Sequence, residues 1–229
     1  MTTLVIDLAI IAIILFCGWR GYRNGLIRGV FGVVTLIVAL IVANIAAAAY
    51  SEEVTGVLKP FVGGIVDSTI SDMTGDEIEY EEIEFENNTE QFKTVYSALR
   101  QIGLPKPAAT NLAERTAEEY TEGFLADLVS DKLSSVLAYV ALFGIAFLLL
   151  AIIFAVVGNL INFVFSLPGL KIVDIIAGIA FGLMKGFLIV LTITTILRYF
   201  GLVALTTLED TTVLNYFVNN NMLADMLGI

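Results

Sequence analysis

The sequence predicts an all-α integral membrane protein with four hydrophobic helices in two pairs and an acidic, mostly helical extracytoplasmic insert. Of its 229 residues, 58% are hydrophobic and 15% are charged, and the mean hydropathy is +0.88. Soluble domains are less apolar and more highly charged. Several apolar runs reach the roughly 20 residues that a helix needs to cross a bilayer. Glycines at four-residue spacing, which let helices approach closely in lipid, occur in one of these runs and again in the segment between the first two.

The net charge of −11 comes from one part of the chain. Residues 51–133 hold 18 of the 23 acidic residues and six basic ones, whereas the rest of the chain is close to neutral. An acidic balance without a basic tail argues against nucleic acid as a partner. The sequence has no histidine, which removes Ser/His triads and the commonest metal ligand. Cys17 is the only cysteine, so no disulfide can form within this sequence. We therefore expect no catalytic residue, no metal and no cofactor.

Residues 1–50 contain the first predicted helix pair. Residues 4–19 form a short apolar helix of about 24 Å, and residues 30–50 form a second, which ends in a run of alanines. The densest basic cluster of the sequence lies between them and consists of Arg20, Arg23 and Arg28. Because positive residues are retained in short cytoplasmic loops, we place this turn inside and the N-terminus outside.

Residues 51–133 are the predicted acidic insert. Pro60 is expected to end one short helix and to separate it from a second that reaches Met73. Two amphipathic helices are then predicted over residues 89–103 and 108–132. The insert is thus expected to form a small helical cap on the outer side rather than an independent enzyme domain.

The run from Asp76 to Glu86 is the most acidic part of the insert. Clustered carboxylates favour a hard cation such as Ca²⁺. This run has no ligand loop with a turn glycine at EF-hand spacing, however, so we interpret it as a solvated acidic segment.

Residues 134–200 contain the second predicted helix pair. The apolar helices cover residues 134–165 and 172–200, and Pro168-Gly169 marks the turn between them. Residues 201–229 then form an amphipathic tail of short helices that lie against the membrane or the insert. Four crossings place the insert and the C-terminus on the same outer side as the N-terminus. Residues 17–29 and 172–182 either cross the membrane, re-enter it or lie at its surface.

Glycines at equal spacing occur in both helix pairs. The first set is Gly21, Gly25 and Gly29, and the second is Gly178, Gly182 and Gly186. Glycines four apart lie on one helix face and predict close helix packing. Aligning residues 21–40 with 178–197 also matches Arg28 with Lys185. The repeat is explained either by an ancestral duplication or by separate selection for small residues in packed helices.

Five ionisable residues lie in or beside the apolar helices: Asp7, Arg20, Arg28, Asp174 and Lys185. Charge is costly in lipid, so such residues face protein or water. Asp174 and Lys185 share a helix face but lie about 16 Å apart along the axis, so they cannot pair directly. We predict that these five residues form buried polar contacts or line a narrow path.

The sequence resembles the colicin V production (CvpA) family. The early Asp7, then Arg20-Gly21, and Gly25-Leu-Ile-Arg28-Gly29 at the start of the second helix are similar to that family's N-terminal signature. Val173-Asp174, followed by Gly178, Gly182 and Lys185-Gly186, is similar to its final-helix signature. The resemblance covers roughly residues 1–50 and 135–200. The insert is longer than in compact members, so its role is not transferred.

The resemblance implies a multi-pass protein of the bacterial cytoplasmic membrane that is linked to toxin production and envelope homeostasis. It supplies no catalytic residues. The leading hypothesis is a non-enzymatic helper in secretion or envelope function, whose partners are the lipid bilayer together with a second copy of the chain or an envelope or secretion protein. The alternative is a small oligomeric channel or carrier that uses the charged residues. An intramembrane enzyme is disfavoured because histidine is missing and the two aspartates are expected at opposite membrane faces.

Overall fold

The computed structural model describes residues 2–73, 90–119, 125–160, 171–200 and 205–227, and the regular structure in these ranges is helical. The helices are α1 (Thr2–Met73), α2 (Glu90–Gln101), α3 (Lys106–Glu119), α4 (Leu125–Leu160), α5 (Lys171–Phe200), α6 (Leu205–Asp210), α7 (Val213–Asn219) and α8 (Met222–Leu227). Within the described residues, α1, α4 and α5 are long and apolar enough to cross a membrane. The predicted all-helical class is therefore confirmed, with three such helices.

A kink at Gly25 divides α1 into an N-terminal arm (residues 2–24) and a C-terminal arm (residues 26–73). Gly25 has φ +75° and ψ 179°, a conformation that essentially only glycine adopts. The sequence predicted two separate helices here, at 4–19 and 30–50. In the structure, helix extends to Gly25 from one side and resumes directly after it. The two arms are therefore joined by a single residue and not by a loop.

The contacts of α5 show that α1 reverses its direction at Gly25. On the N-terminal arm, the residues that meet Gly186, Gly182 and Gly178 in turn are Ile14, Cys17 and Gly21. On the C-terminal arm the order is inverted, because Gly29 packs against Gly178 and Phe181, and Gly32 against Lys185. The N-terminal arm is thus antiparallel to α5 and the C-terminal arm is parallel to it.

Helix α4 runs antiparallel to the C-terminal arm of α1. Near the middle of both helices, the Tyr139 hydroxyl donates a hydrogen bond to the Asn44 side-chain oxygen. Further along α1, Lys59 forms a 2.6 Å ion pair with Asp131, near the start of α4. The α4 direction is therefore also opposite to that of α5.

The expected helix break at Pro60 is wrong, because α1 runs through it to Met73. A proline inside a helix loses one hydrogen bond and its ring clashes with the carbonyl group four residues earlier, here Gly56. Burial of Val62 and Val66 against α2, α3 and α4 compensates for that cost.

One helix start in the insert also differs from the prediction. The predicted helix over 108–132 corresponds to α3, which is described to Glu119, and to α4, which is described from Leu125; residues 120–124 lie outside the described residues. Helix α4 therefore starts well before Ser134 and carries its first two turns into the insert. The acidic run 76–86 and the turn at Pro168-Gly169 lie outside the described residues.

The buried apolar residues form two clusters. The first joins the end of α1 to α2, α3 and the start of α4, and it is centred on Val66, Phe92, Val95, Leu99, Leu112 and Val129. The second joins both arms of α1 to α4, α5 and α7, through Ile10, Leu40, Phe143, Val190, Leu214 and Phe217. The C-terminal helices thus pack on the helix bundle, and Leu227 contacts both clusters.

Large apolar side chains also cover the outer surface of α4. Leu148 is 60% exposed and Ile145 is 58% exposed, with Leu149, Ile152 and Ile153 similar. A continuous exposed apolar surface of this kind marks an interaction site. On a helix long enough to span a bilayer it is the surface that lipid chains cover.

Candidate functional site

The centre of the molecule is a contact between glycines of α1 and α5. A Cβ atom added at Gly178 would lie 2.6 Å from the Gly21 carbonyl oxygen, and one added at Gly186 would lie 2.9 Å from the Ile14 Cα atom. A Cβ atom at Gly21 or at Gly182 would overlap backbone atoms of the facing helix. Backbone therefore lies directly on backbone, which only glycine allows. The structure brings the two predicted glycine sets against each other.

Asp174 lies where α1 reverses. Its Oδ1 atom accepts a 2.8 Å hydrogen bond from the Leu26 backbone N–H. Leu26 is the first residue after Gly25, where the backbone N–H groups of a new helix start have no partner within the helix. A Cβ atom added at Gly25 would lie 2.5 Å from Asp174 Oδ2. The carboxylate of α5 thus caps the C-terminal arm of α1, and Gly25 leaves room for it.

Asp7 makes the corresponding contact at the opposite end of the N-terminal arm. Its carboxylate accepts hydrogen bonds from the backbone N–H groups of Thr212, Val213 and Leu214, at 2.9, 3.1 and 3.0 Å. These N–H groups begin α7, and a carboxylate is favourable at a helix N-terminus. Asp7 therefore joins α7 to the N-terminal arm through hydrogen bonds.

The two carboxylates are far apart. Eighteen residues of helix separate Asp7 from Gly25, which is about 27 Å at 1.5 Å per residue. They cannot act together as a catalytic pair. Among the described residues, no group of three metal-ligating side chains comes together.

Lys185 lies between the two arms of α1. Its Nζ and Cδ atoms are 3.5 and 3.6 Å from the position that a Cβ atom would take at Gly32. The missing side chain at Gly32 therefore leaves the space along which the lysine side chain runs. Lys185 is half-buried and forms no ion pair with a described carboxylate.

Arg20 and Arg28 are exposed, on either side of the Gly25 reversal. Arg23 is exposed as well, and its guanidinium group lies 5.5 Å from the centre of the Trp19 ring. None of the three pairs with a described carboxylate. The structure thus places the five predicted polar residues in three settings: two aspartates that cap helices, one lysine between helices, and two arginines on the surface.

Asn221 is a polar contact that the sequence analysis missed. It is 1% exposed and donates hydrogen bonds to the Leu191 carbonyl oxygen and the Thr194 hydroxyl. Its side-chain oxygen accepts bonds from the Thr195 hydroxyl and from the backbone N–H groups of Leu223 and Ala224. The only signal in the sequence is the run of asparagines 219–221 before a short apolar segment, typical of a helix cap.

Two comparisons with known proteins gave no match and one identified a family. A family model described as "Colicin V production protein" matches residues 6–75 and 108–222. The matched segments include both glycine sets, Asp7, Asp174 and Lys185. No curated protein and no solved structure matches the chain.

Proposed function

The chain belongs to the colicin V production protein family, and we propose that it crosses the bacterial cytoplasmic membrane four times. The two arms of α1, α4 and α5 alternate in direction, as successive crossings must. The N-terminal arm contributes about 35 Å of helix, which is enough to cross the roughly 30 Å hydrocarbon core of a bilayer. The basic cluster beside Gly25 then lies on the cytoplasmic side. The N-terminus, the insert formed with α2 and α3, and the C-terminus lie outside.

Within that membrane the protein acts as a non-enzymatic helper in toxin production or secretion and in envelope homeostasis. The observation that carries this proposal is the matched use of Asp174 and Asp7. Each carboxylate holds the start of a distant helix through backbone N–H groups, so both are used to join segments of the chain. These two carboxylate caps support a rigid helical unit. Such a unit would present surfaces to other envelope components.

Complementation in cells that produce colicin V but lack their own family member tests the helper role. We expect the wild-type chain to restore both the secreted toxin and resistance to detergents. Asp174→Ala should lose this rescue, whereas Gly64→Ala should keep it, because a Cβ atom at Gly64 meets nothing within 4 Å. A wild-type chain that accumulates in the membrane and restores neither property would refute the proposal.

The alternative, a small oligomeric channel or carrier, is favoured by one observation. Lys185 is a partly exposed cation in an apolar helix, without a carboxylate partner among the described residues. The backbone contact of Gly21 with Gly178 closes the space between the N-terminal arm and α5, and four helices enclose little pore alone, so the pore in this alternative forms between copies. Cysteines placed at Met184 and Leu188 in a Cys17→Ser background test this. Labelling of both by a water-soluble thiol reagent supports a pore, and complete shielding excludes one beside Lys185.

A further inference from the structure

Four cations gather at the end of the molecule where α1 reverses. Arg28 is three residues from Gly25 and Arg20 is five, while Lys185 lies beside Gly32, seven residues away. All are therefore within about 11 Å of the reversal along the helix axes, as is Arg23. Among the described residues, Asp174 is the only carboxylate at this end, and its Oδ1 atom is bonded to Leu26. Together with Lys171, the first residue of α5, these four cations give the described part of this end five basic residues and one acidic residue.

Three of these cations come from different helical segments that meet at one place. Lys185 of α5 runs along Gly32 of the C-terminal arm. Arg28 precedes Gly32 by four residues, so it lies on the same face one turn nearer the reversal. Gly186, the residue after Lys185, packs against Cys17 of the N-terminal arm, three residues before Arg20. We call Arg20, Arg28 and Lys185 the cation cluster.

The surface around the cation cluster is that of a membrane–water interface. Trp19 is 55% exposed and Tyr22 is 50% exposed, and aromatic rings with a polar edge collect at this depth. Exposed apolar side chains continue from there away from the reversal, with Phe16 on the N-terminal arm and Met184 and Phe187 on α5. A ligand that fits both the cation cluster and the apolar surface beside it has an anionic headgroup and apolar chains.

We propose that the cation cluster binds the phosphate of an anionic phospholipid headgroup, with the acyl chains along the exposed apolar surface of the N-terminal arm and α5. Guanidinium groups bind phosphate oxygens through paired N–H donors. The lysine adds a point charge that would otherwise stand unpaired at the edge of the hydrocarbon layer, where charge is costly. Gly32 is part of the site because it leaves room for the Lys185 side chain.

Native mass spectrometry of the purified full chain tests the site. The chain is delipidated in a neutral detergent and titrated with phosphatidylglycerol or with phosphatidylcholine of the same acyl chains. Arg28→Gln/Lys185→Gln is compared with Lys93→Gln/Lys106→Gln, which removes the same charge from α2 and α3. Each protein cation that contacts an anionic headgroup contributes about a fivefold gain in affinity. We therefore expect Arg28→Gln/Lys185→Gln to bind phosphatidylglycerol about 30-fold more weakly than the wild type. Lys93→Gln/Lys106→Gln should match the wild type.

Three further measurements distinguish a phospholipid site from a site for free phosphate and from binding through the acyl chains alone. Lys185→Arg should retain binding, phosphatidylcholine should bind weakly to every variant, and millimolar inorganic phosphate should not displace phosphatidylglycerol. Equal binding by the wild type and by Arg28→Gln/Lys185→Gln would overturn the proposal, and so would displacement by free phosphate. If the double variant does not fold, the exposed Arg28→Gln and Arg20→Gln variants carry the same test, with an expected loss of about fivefold each.

Discussion

The Asp174 carboxylate of α5 accepts a 2.8 Å hydrogen bond from the backbone N–H of Leu26, 148 positions earlier in the chain. This bond joins the first turn of α5 to the residue at which the C-terminal arm of α1 begins. The bond satisfies both of its partners. The N–H donors at the new helix start have no acceptor within the helix, and a carboxylate near lipid needs hydrogen-bond donors. Asp7 and α7 repeat the same solution at the other end of the N-terminal arm.

The Asp174 cap should depend on the acceptor oxygen more than on the charge. We expect Asp174→Ala to lower the free energy of unfolding by about 1–2 kcal/mol, the usual cost of losing a helix cap. Asp174→Asn should lose less, since the amide oxygen still accepts from Leu26. Denaturant unfolding in mixed micelles measures both. Equal losses for the two variants would show that the hydrogen bond to Leu26 is not what stabilises the reversal.

Gly25 should be energetically coupled to Asp174. Gly25→Ala forces a side chain into a backbone conformation that costs about 1–3 kcal/mol and also brings a Cβ atom within 2.5 Å of Asp174 Oδ2. In Gly25→Ala/Asp174→Ala the overlap between the new Cβ atom and the carboxylate disappears, and only the backbone cost remains. We therefore expect the double variant to be more stable than the sum of the two single losses predicts, by about 0.5 kcal/mol or more. Strict additivity of the three unfolding free energies would contradict the contact.

The effect on stability of replacing a glycine of α1 or α5 with alanine should depend on the space around that glycine. A Cβ atom at Gly182 would overlap the Cys17 carbonyl oxygen, whereas one at Gly64 meets nothing within 4 Å. Overpacking costs about 1–3 kcal/mol, so Gly182→Ala should be destabilised by that amount or more. Gly64→Ala should instead be stabilised by about 0.5–1 kcal/mol, because alanine is the better helix former. Thermal unfolding of both variants in one detergent makes the comparison, and a loss at Gly64 equal to that at Gly182 would refute it.

The glycine spacing predicted a packed face because small residues four apart have that effect wherever they lie on a helix. It did not predict that Gly21 and Gly178 face each other, since the partner of a helix face depends on the three-dimensional path of the chain. The turn between residues 19 and 30 was predicted, but its position at Gly25 and its form without a loop were not, for a related reason. A single glycine gives no loop signal, and the conformation is stabilised by Asp174 from a distant segment.

Other differences also arise from tertiary contacts. Pro60 is a strong local signal for a helix end, but burial of Val62 and Val66 outweighs it. The four apolar stretches and the short C-terminal helices were predictable from composition and periodicity alone. The roles of Asp7 and Asp174 were not, because a carboxylate in an apolar helix predicts a polar partner without indicating which one.

Removal of the Asp7 carboxylate should release α7 selectively. Asp7→Ala leaves three N–H groups without their acceptor, so we expect faster hydrogen exchange over residues 212–219 and unchanged exchange in the middle of α5. Asp7→Asn should give an intermediate rate, because one amide oxygen replaces two carboxylate oxygens and the favourable charge at the helix start is lost. Hydrogen exchange measured by mass spectrometry follows each segment. Exchange that rises equally in α5 would point to general unfolding and not to release of α7.

Asn221 should be the most sensitive of the three consecutive asparagines, because its side chain is buried and is fully used in joining α8 to α5. Asn221→Leu has similar volume but leaves the Leu223 and Ala224 N–H groups without their acceptor. A buried group left unpaired costs about 1–3 kcal/mol, so we expect a loss of at least about 2 kcal/mol in the free energy of unfolding. Asn219→Leu is the matched control: Asn219 is exposed, and surface substitutions usually change stability by about 0.5 kcal/mol or less. If both leucine variants unfold at the same denaturant concentration, the buried network does not anchor α8, and apolar contacts such as those of Leu223 and Leu227 must hold the C-terminal helices in place.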